Sequence, residues 1–207
     1  MSRTVAIVAG IATLGLLGGT YGVTLLRDGG VDCGTAQVGA AIGGPFDLVD
    51  ETGRAVSDAD VITEPALIYF GYTFCPDVCP LDAARNAAAV DILAERGIGV
   101  TPLFISIDPA RDTPEVLRDY TDNFHPDMIG LTGTEEQVAA AAAAYRVFRQ
   151  KQDEDPEYYL MQHTTMSYLV LPESGFADFF RQADSPEVVA DRAACLIDVD
   201  RRASQST

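Results

Sequence analysis

The feature that most constrains the fold is a short apolar run that leads directly into two cysteines. Residues 65–70 form a continuous apolar segment, which is typical of a buried strand. Cys75 and Cys79 follow at a spacing of four positions, and a helix is predicted over 81–95. The sequence therefore predicts an α/β fold with a pair of thiols where a strand passes into a helix.

The rest of the chain continues the alternation of strands and helices. The further predicted elements are a strand over 45–50 that turns into 55–56, a strand over 100–107, a helix over 114–124, a strand over 128–131, a helix over 134–151, a hairpin of 165–171 with 176–181, and a helix over 185–196. This order indicates a central mixed sheet with helices packed on it, in the thioredoxin-like architecture. We assign this domain to residues 45–198 and predict a disordered tail over 199–207.

The beginning of the chain is predicted to be a transmembrane helix. The stretch from Thr4 to Leu26 carries no charged residue, lies between Arg3 and Arg27, and is long enough to cross a bilayer. A cleaved signal peptide is the alternative, but no small-x-small cleavage motif follows the apolar run. We therefore assign residues 1–27 to a retained anchor and residues 28–44, which are rich in glycine, to a flexible tether.

The charges near the apolar run predict its orientation. Arg3 and the N-terminal amine stand on one side, whereas Arg27 on the other side is followed by Asp28 and Asp32. The positive-inside rule then places the N-terminus in the cytoplasm. We expect a single-pass protein of a bacterial inner membrane, with its soluble domain facing the periplasm. Asp32 also argues against lipidation of Cys33, because a small residue is expected before a lipidated cysteine.

The net charge excludes one class of partner. The formal net charge is −17, and every acidic residue lies after Arg27. Such a domain repels nucleic acids and anionic membrane surfaces, and it favours cationic partners or metal ions. We expect no nucleic acid partner.

The cysteine pair allows two kinds of chemistry. On a helical turn, Cys75 and Cys79 share one face, so their sulfurs can form a disulfide or converge on a soft metal ion. The helix N-terminus favours the thiolate in either case. The spacing has one residue more than the C-x-x-C of thioredoxin-like redox motifs. Asp77, between the cysteines, caps the helix or helps to orient a ligand from outside the metal shell.

A distant histidine favours metal binding. His163 lies just before the predicted hairpin, where thioredoxin-like folds usually carry a cis-proline that faces the cysteines, and no proline occurs between Pro156 and Pro172. Two thiolates and one imidazole suit copper, as Cu(I) or as Cu(II) with a further donor. A structural zinc site normally needs four protein ligands. We interpret His125 as structural and Asp108 as the end of a strand.

Several motifs resemble those of the Sco/SenC family. They are YFGYTFCPDVCP (69–80), IDPARDTP (107–114), FHP (124–126), IGLTG (129–133) and the downstream His163, and the similarity covers roughly residues 42–182. The resemblance implies a thioredoxin-like copper-binding protein that helps to assemble cytochrome c oxidase, with Cys75, Cys79 and His163 as ligands. It also implies the binuclear copper centre of oxidase subunit II as the client, with an upstream copper chaperone as a further partner.

Three functions are compatible with these residues. The first is a copper metallochaperone, which binds and transfers the metal and is not a turnover enzyme. The second is a thiol–disulfide reductase for the copper-site cysteines of the oxidase, which needs only the redox pair Cys75 and Cys79. A peroxiredoxin-like peroxidase is a third, weaker alternative. The sequence leaves open whether Cys33 and Cys195 form a disulfide.

Overall fold

The central feature of the fold is a seven-stranded mixed sheet. The computed structural model of the protein describes Cys33, residues 42–152, Asp155 and residues 158–205. The strands of the sheet are β1 (Asp47–Asp50), β2 (Ala55–Ser57), β3 (Ala66–Gly71), β4 (Thr101–Ser106), β5 (Ile129–Thr132), β8 (Ser167–Leu171) and β9 (Gly175–Phe180). A separate ribbon of two strands consists of β6 (Arg149–Lys151) and β7 (Met161–His163).

The strand order is β2-β1-β5-β4-β3-β8-β9. The three middle strands β5, β4 and β3 are parallel, whereas β1, β8 and β9 each pair antiparallel with their neighbours. Every residue of β3 is buried, as the continuous apolar run predicts. The predicted fold, a central mixed sheet in a thioredoxin-like arrangement, is confirmed.

Helices cover both faces of this sheet. They are α1 (Asp58–Val61), α2 (Val78–Glu95), α3 (Pro114–Thr121), α4 (Glu135–Ala144) and α5 (Pro186–Gln205). Leu67 of β3 belongs to an apolar cluster with α2 and α5. Phe70, whose side chain points to the opposite face, packs on Tyr145, with ring centroids 5.3 Å apart. The alternation along β3 thus joins the two layers of helices.

Helix α2 begins earlier than predicted. Its first residue is Val78 rather than Leu81, so that Cys79 and Pro80 lie within the first turn. Proline is tolerated there because the first N–H groups of a helix have no partner within the helix. The earlier start places Cys79 where the free N–H groups of the helix are found.

The prediction of one helix over 134–151 was wrong in its second half. Helix α4 ends at Ala144, and Arg146 takes a left-handed conformation with φ 54°. The N–H of Val147 donates to the carbonyl of Ala142, and that of Arg146 to the carbonyl of Ala143. This pair of bonds is the Schellman motif, which usually has glycine where Arg146 stands. The helix therefore ends here, and the residues that follow form β6.

The predicted tail over 199–207 is helical through Gln205. The tail contains no proline or glycine that would end helix α5. Contacts one turn apart also support the helix: Arg202 forms an ion pair with Asp198, and the Ser204 hydroxyl donates to the Asp200 carbonyl. A second departure is the short helix α1, which the sequence did not indicate; Ser57 and Asp60 form a capping box at its start.

The predicted anchor, residues 1–27, and most of the predicted tether lie outside the described residues. Within the part that is described, no helix has the length and apolar character needed to cross a bilayer. Around the domain boundary, Ile42 packs on the core and the N–H of Gly43 donates to the carbonyl of Ala144. The ordered domain therefore begins before residue 45.

The pairing that the sequence left open is present as a disulfide. Cys33 and Cys195 are bonded, with their Cα atoms 5.6 Å apart and 162 positions between them in sequence. Cys33 is buried against the apolar cluster of α2 and α5. The bond therefore joins the start of the domain to its last helix.

Loss of this disulfide should destabilise the protein markedly. Closing a loop of this length lowers the entropy of the unfolded chain, which corresponds to up to about 5 kcal/mol. We expect the Cys33→Ser and Cys195→Ser variants to lose the same free energy of unfolding in urea as the double variant, because each removes the same bond. Equal stability of the double variant and the wild type would contradict the assignment, as would four free thiols in the unfolded, unreduced chain.

Candidate metal centre

The two cysteines meet at the start of α2. Cys75 lies in the turn after β3, where its N–H donates to the Tyr72 carbonyl at 3.3 Å. Cys79 is the second residue of α2, and its own N–H donates to the Cys75 sulfur at 3.4 Å. The Cys79 side chain is fully buried, whereas Cys75 is half-buried. A helix N-terminus thus points a free N–H at the more accessible sulfur.

The third residue, His163, is held by the ribbon of β6 and β7. His163 is the last residue of β7 and lies opposite Arg149 of β6. Beyond it, Thr164 and Phe148 exchange hydrogen bonds: the Thr164 N–H donates to the Phe148 carbonyl, and the Phe148 N–H donates to Thr164 Oγ1, both at 3.0 Å. Arg149 ties the ribbon to the end of β4 by donating to the Ile107 carbonyl at 2.8 Å. Hydrogen bonds to β6 and to the end of β4 therefore fix the position of the strand that carries His163.

Hydrogen bonding fixes which ring nitrogen faces the sulfurs. Nδ1 of His163 lies 2.9 Å from the carbonyl oxygen of Thr164. Because a carbonyl only accepts, Nδ1 must carry the proton, and the lone pair of Nε2 is left free. Nε2 lies 3.4 Å from the Cys79 sulfur. Tyr69 and Tyr72 both pack edge-on against the imidazole and hold its plane.

The three donors form a compact group. The two sulfurs and the ring nitrogen lie within 4.8 Å of one another, and no other group of three or more such donors occurs among the described residues. Two thiolates and a neutral imidazole are soft or intermediate ligands, which fit copper or zinc and not magnesium or calcium. The structure thus brings the three predicted residues within reach of one another, as a group that could hold a metal ion.

The pKa values of the two cysteines are shifted in opposite directions. The Cys79 thiol donates to Cys75, and this bond is the main cause that lowers the pKa of Cys75 to about 3, against the opposing effect of burial. The backbone N–H groups of Asp77 and Cys79 lower it further. The same bond, together with burial, raises the pKa of Cys79. At neutral pH, Cys75 is the thiolate and Cys79 holds the proton.

Comparison with known families decides the relationship. The family model described as SCO1/SenC matches residues 34–198. The chain belongs to the SCO1/SenC family. It is 50% identical over 202 residues to the protein SenC of Rhodobacter capsulatus, and the match covers 95% of this chain and 91% of that one.

More distant SCO1/SenC relatives agree. The chain is 45% identical over 145 residues to the mitochondrial SCO1 homolog of Homo sapiens, covering 68% of this chain and 48% of that protein. It therefore spans about half the length of that relative. The crystal structure of Arabidopsis thaliana ScoI with copper bound matches with a TM-score of 0.71 and 37% identity, over 78% of this chain and 99% of that one.

Two other residues that the sequence singled out have different outcomes. Asp77 occupies the N-cap of α2, but its exposed carboxylate makes no capping hydrogen bond. Its backbone N–H instead forms a hydrogen bond that lowers the pKa of Cys75. His125 is buried away from the ligand set. It accepts from the Asp127 N–H and pairs with Asp91 at 3.4 Å, so the structural interpretation is confirmed.

Sequence reasoning missed the buried acids that hold the cysteine loop. Asp112 is fully buried and accepts hydrogen bonds from the N–H and hydroxyl of Thr73 and from the Ser106 hydroxyl. It thereby fixes the loop just before Cys75 to the end of β4. Burial raises the pKa of Asp112, and the three donors oppose that shift. The only signal in the sequence was the density of acids after β4.

Asp108 has a similar structural role. Rather than simply ending a strand, it is buried, pairs with Arg111 at 2.5 Å and accepts from the Tyr159 hydroxyl at 2.6 Å. The Arg111 guanidinium packs over the ring of Phe74, at 4.6 Å, and over the ring of Tyr159, at 3.6 Å. This stack connects the cysteine loop to the segment that leads to His163.

The low pKa of Cys75 predicts how its reactivity depends on pH. The thiolate is already formed at acidic pH, so the rate of iodoacetamide alkylation at Cys75 should be nearly constant from about pH 8 to about pH 6. An ordinary cysteine thiol should slow roughly 70-fold over the same interval. Mass spectrometry of the reduced dithiol gives the rate, with the urea-unfolded chain as the control.

The Cys79→Ala variant isolates the cause of this behaviour. Removing the donated hydrogen bond should raise the pKa of Cys75 and restore a rate that falls with falling pH. If the alkylation rate of wild-type Cys75 falls with pH as steeply as that of the unfolded control, the Cys79 thiol does not donate a hydrogen bond to Cys75.

Asp112 gives a separate prediction for the scaffold. In the Asp112→Ala variant, the Thr73 N–H and two hydroxyls lose their buried acceptor. We expect the free energy of unfolding in urea to fall by about 1–3 kcal/mol. The Asp119→Ala variant, whose side chain is exposed on α3, should stay within about 0.5 kcal/mol of the wild type. Equal stability of the two variants would remove Asp112 from this role.

Proposed function

We propose that this chain is a copper metallochaperone that binds copper through Cys75, Cys79 and His163. It delivers the metal to the binuclear copper site of cytochrome c oxidase subunit II, or matures that site. One observation carries the proposal: two sulfurs and an unprotonated ring nitrogen converge within 4.8 Å, although His163 lies far from the cysteines in sequence.

The donor set favours copper as the cargo. Among the residues that the structure describes, three protein ligands converge, whereas structural zinc normally takes four, and a three-coordinate site with two thiolates suits Cu(I). Cu(II) would require an additional donor. The copper-bound structure of Arabidopsis thaliana ScoI, a relative at 37% identity, supports the choice.

The exposure of the ligands supports transfer rather than permanent storage. Cys79 is buried, but Cys75 and His163 are each partly open to solvent. Incoming ligands can therefore reach the site from that side. An upstream copper chaperone would load the site by the same approach, and subunit II would unload it.

The proposed location is the inner membrane of a bacterium, with the domain in the periplasm. The uncharged run between Arg3 and Arg27 supports an anchor. The disulfide of Cys33 and Cys195 supports export, because such bonds persist in oxidising compartments.

A thiol–disulfide reductase is the second candidate, and the low pKa of Cys75 favours it. A thiolate that is accessible at neutral pH can attack a disulfide of the client, and Cys79 can then resolve the mixed disulfide. Two electrons pass to the client, and Cys75 and Cys79 become a disulfide. In that form they cannot supply two thiolates to copper, so the redox state controls whether the metal site is available.

Loss of the imidazole tests the metal site. In the reduced full-length chain, the His163→Ala variant should bind Cu(I) more than roughly 100-fold more weakly, because even changes outside the ligand shell cost 10–100-fold. Competition with a chromophoric Cu(I) chelator gives the affinity. The His125→Ala variant is the matched control and should bind as the wild type does. Unchanged affinity after loss of His163 would remove that residue from the site.

The same variant separates the two functions. If the His163→Ala chain loses copper but fully supports assembly of active oxidase in cells, the reductase function is the relevant one. If assembly fails while the variant still reduces a disulfide-bonded subunit II in vitro, copper delivery is required.

A further inference from the structure

The surface around the metal site carries an unusual share of exposed apolar side chains. Eight large apolar side chains of the described residues are exposed. Four of them lie just before Cys75 or on the segments that lead into and pair with the strand of His163, and we call these four the docking rim: Phe74, Phe148, Tyr158 and Leu160. Single exposed apolar residues are normal on a protein surface, but a cluster of them marks an interaction site.

Contacts join the members of the rim to the ligands. Phe74 immediately precedes Cys75, and Phe148 is hydrogen-bonded to Thr164, next to His163. Tyr158 and Leu160 flank Tyr159, whose ring is stacked on Arg111 together with Phe74. The rim residues therefore belong to the segments that carry Cys75 and His163, the two ligands that are partly open to solvent.

Partly buried hydrogen bonds hold the segments that carry the rim. Arg111 is fixed by Asp108 and by a hydrogen bond to the Tyr159 carbonyl at 3.0 Å. The Leu160 carbonyl accepts from the N–H of Gln152, which follows β6. A surface that is already ordered loses little conformational entropy when a partner covers it. Exposed aromatic side chains on a rigid support are typical of the residues that dominate binding energy.

The chemistry of transfer identifies what covers this surface. Copper passes between proteins by ligand exchange, in which thiolates of the acceptor replace those of Cys75 and Cys79 while the oxidation state stays the same. The released Cys79 takes up one proton from an acceptor thiol, the released Cys75 remains a thiolate, and the second acceptor proton passes to the solvent. Cys79 is buried, so the acceptor must approach across Cys75 and His163 and contact the segments that carry them, which include the rim.

We infer that the docking rim is the surface on which the copper acceptor protein binds, by placing an apolar patch around its own cysteine and histidine ligands against these four side chains. The inference rests on the proposed function and names the contact through which the site works. The net charge of −17 further favours an acceptor with basic residues outside its apolar patch, and their attraction speeds the encounter at low salt.

The test measures copper transfer and copper binding separately. The reduced full-length chain is loaded with Cu(I) and mixed with the reduced, copper-free soluble domain of oxidase subunit II, and the copper content of the separated proteins is followed over time. The rim variants are Phe148→Ser and Leu160→Ser. The controls are Val188→Ser and Val199→Ser, which change exposed apolar residues of α5.

We expect each rim variant to retain the copper affinity of the wild type within about twofold and to slow second-order transfer by roughly tenfold. The Phe148→Leu variant should recover most of the rate, and the α5 controls should transfer as the wild type does. Wild-type transfer should also slow as salt is added.

Three results would overturn the inference. If the rim variants transfer copper at the wild-type rate, the rim is not the docking surface, although the proposed function stands. If the wild type binds copper and transfers none, the proposed function fails and the inference fails with it. If sedimentation shows that the wild type forms a dimer that the rim variants abolish, the rim binds a second copy of the chain instead.

Discussion

The contact between Nε2 of His163 and the sulfur of Cys79, at 3.4 Å, is the interaction on which the functional architecture depends. It joins a helix N-terminus to a ribbon that is not part of the central sheet. Without it, the cysteines would still lie where β3 passes into α2, but as a dithiol alone. Sheet, ribbon and helix each supply one constraint: β3 sets the origin of the cysteine loop, α2 directs its N–H at Cys75, and the ribbon sets the distance of the imidazole.

The sequence was most informative where one local pattern dominated. The apolar run of β3 and the alternation of later elements predicted the mixed sheet. A strand that is buried on both faces must be apolar at nearly every position, so its sequence is easily recognised. The three candidate ligands were also found from sequence. The missing proline before β8 and the spacing of the cysteines were sufficient to bring His163 into consideration.

Sequence reasoning failed where a tertiary contact overrides a local preference. The alanine-rich segment after Thr134 predicts a long helix, yet Arg146 ends it in a conformation that glycine usually adopts. The polar run that follows has no strand pattern of its own. It forms β6 because β7 pairs with it and because Arg149 reaches the Ile107 carbonyl. Asp112 was missed for the related reason that a single buried acid has no periodicity.

The two sulfur pairs of this chain must exist in opposite oxidation states at the same time. Cys33 and Cys195 stabilise the fold only when oxidised, whereas Cys75 and Cys79 bind a metal only when reduced. The structure separates them by access: Cys33 is buried under α2 and α5, and Cys75 lies at the open side of its site. A reductant that needs direct access to a sulfur can therefore open a Cys75–Cys79 disulfide and leave intact the bond between Cys33 and Cys195. Selectivity of this kind arises from where the sulfurs lie, and it requires no difference in the reductant itself.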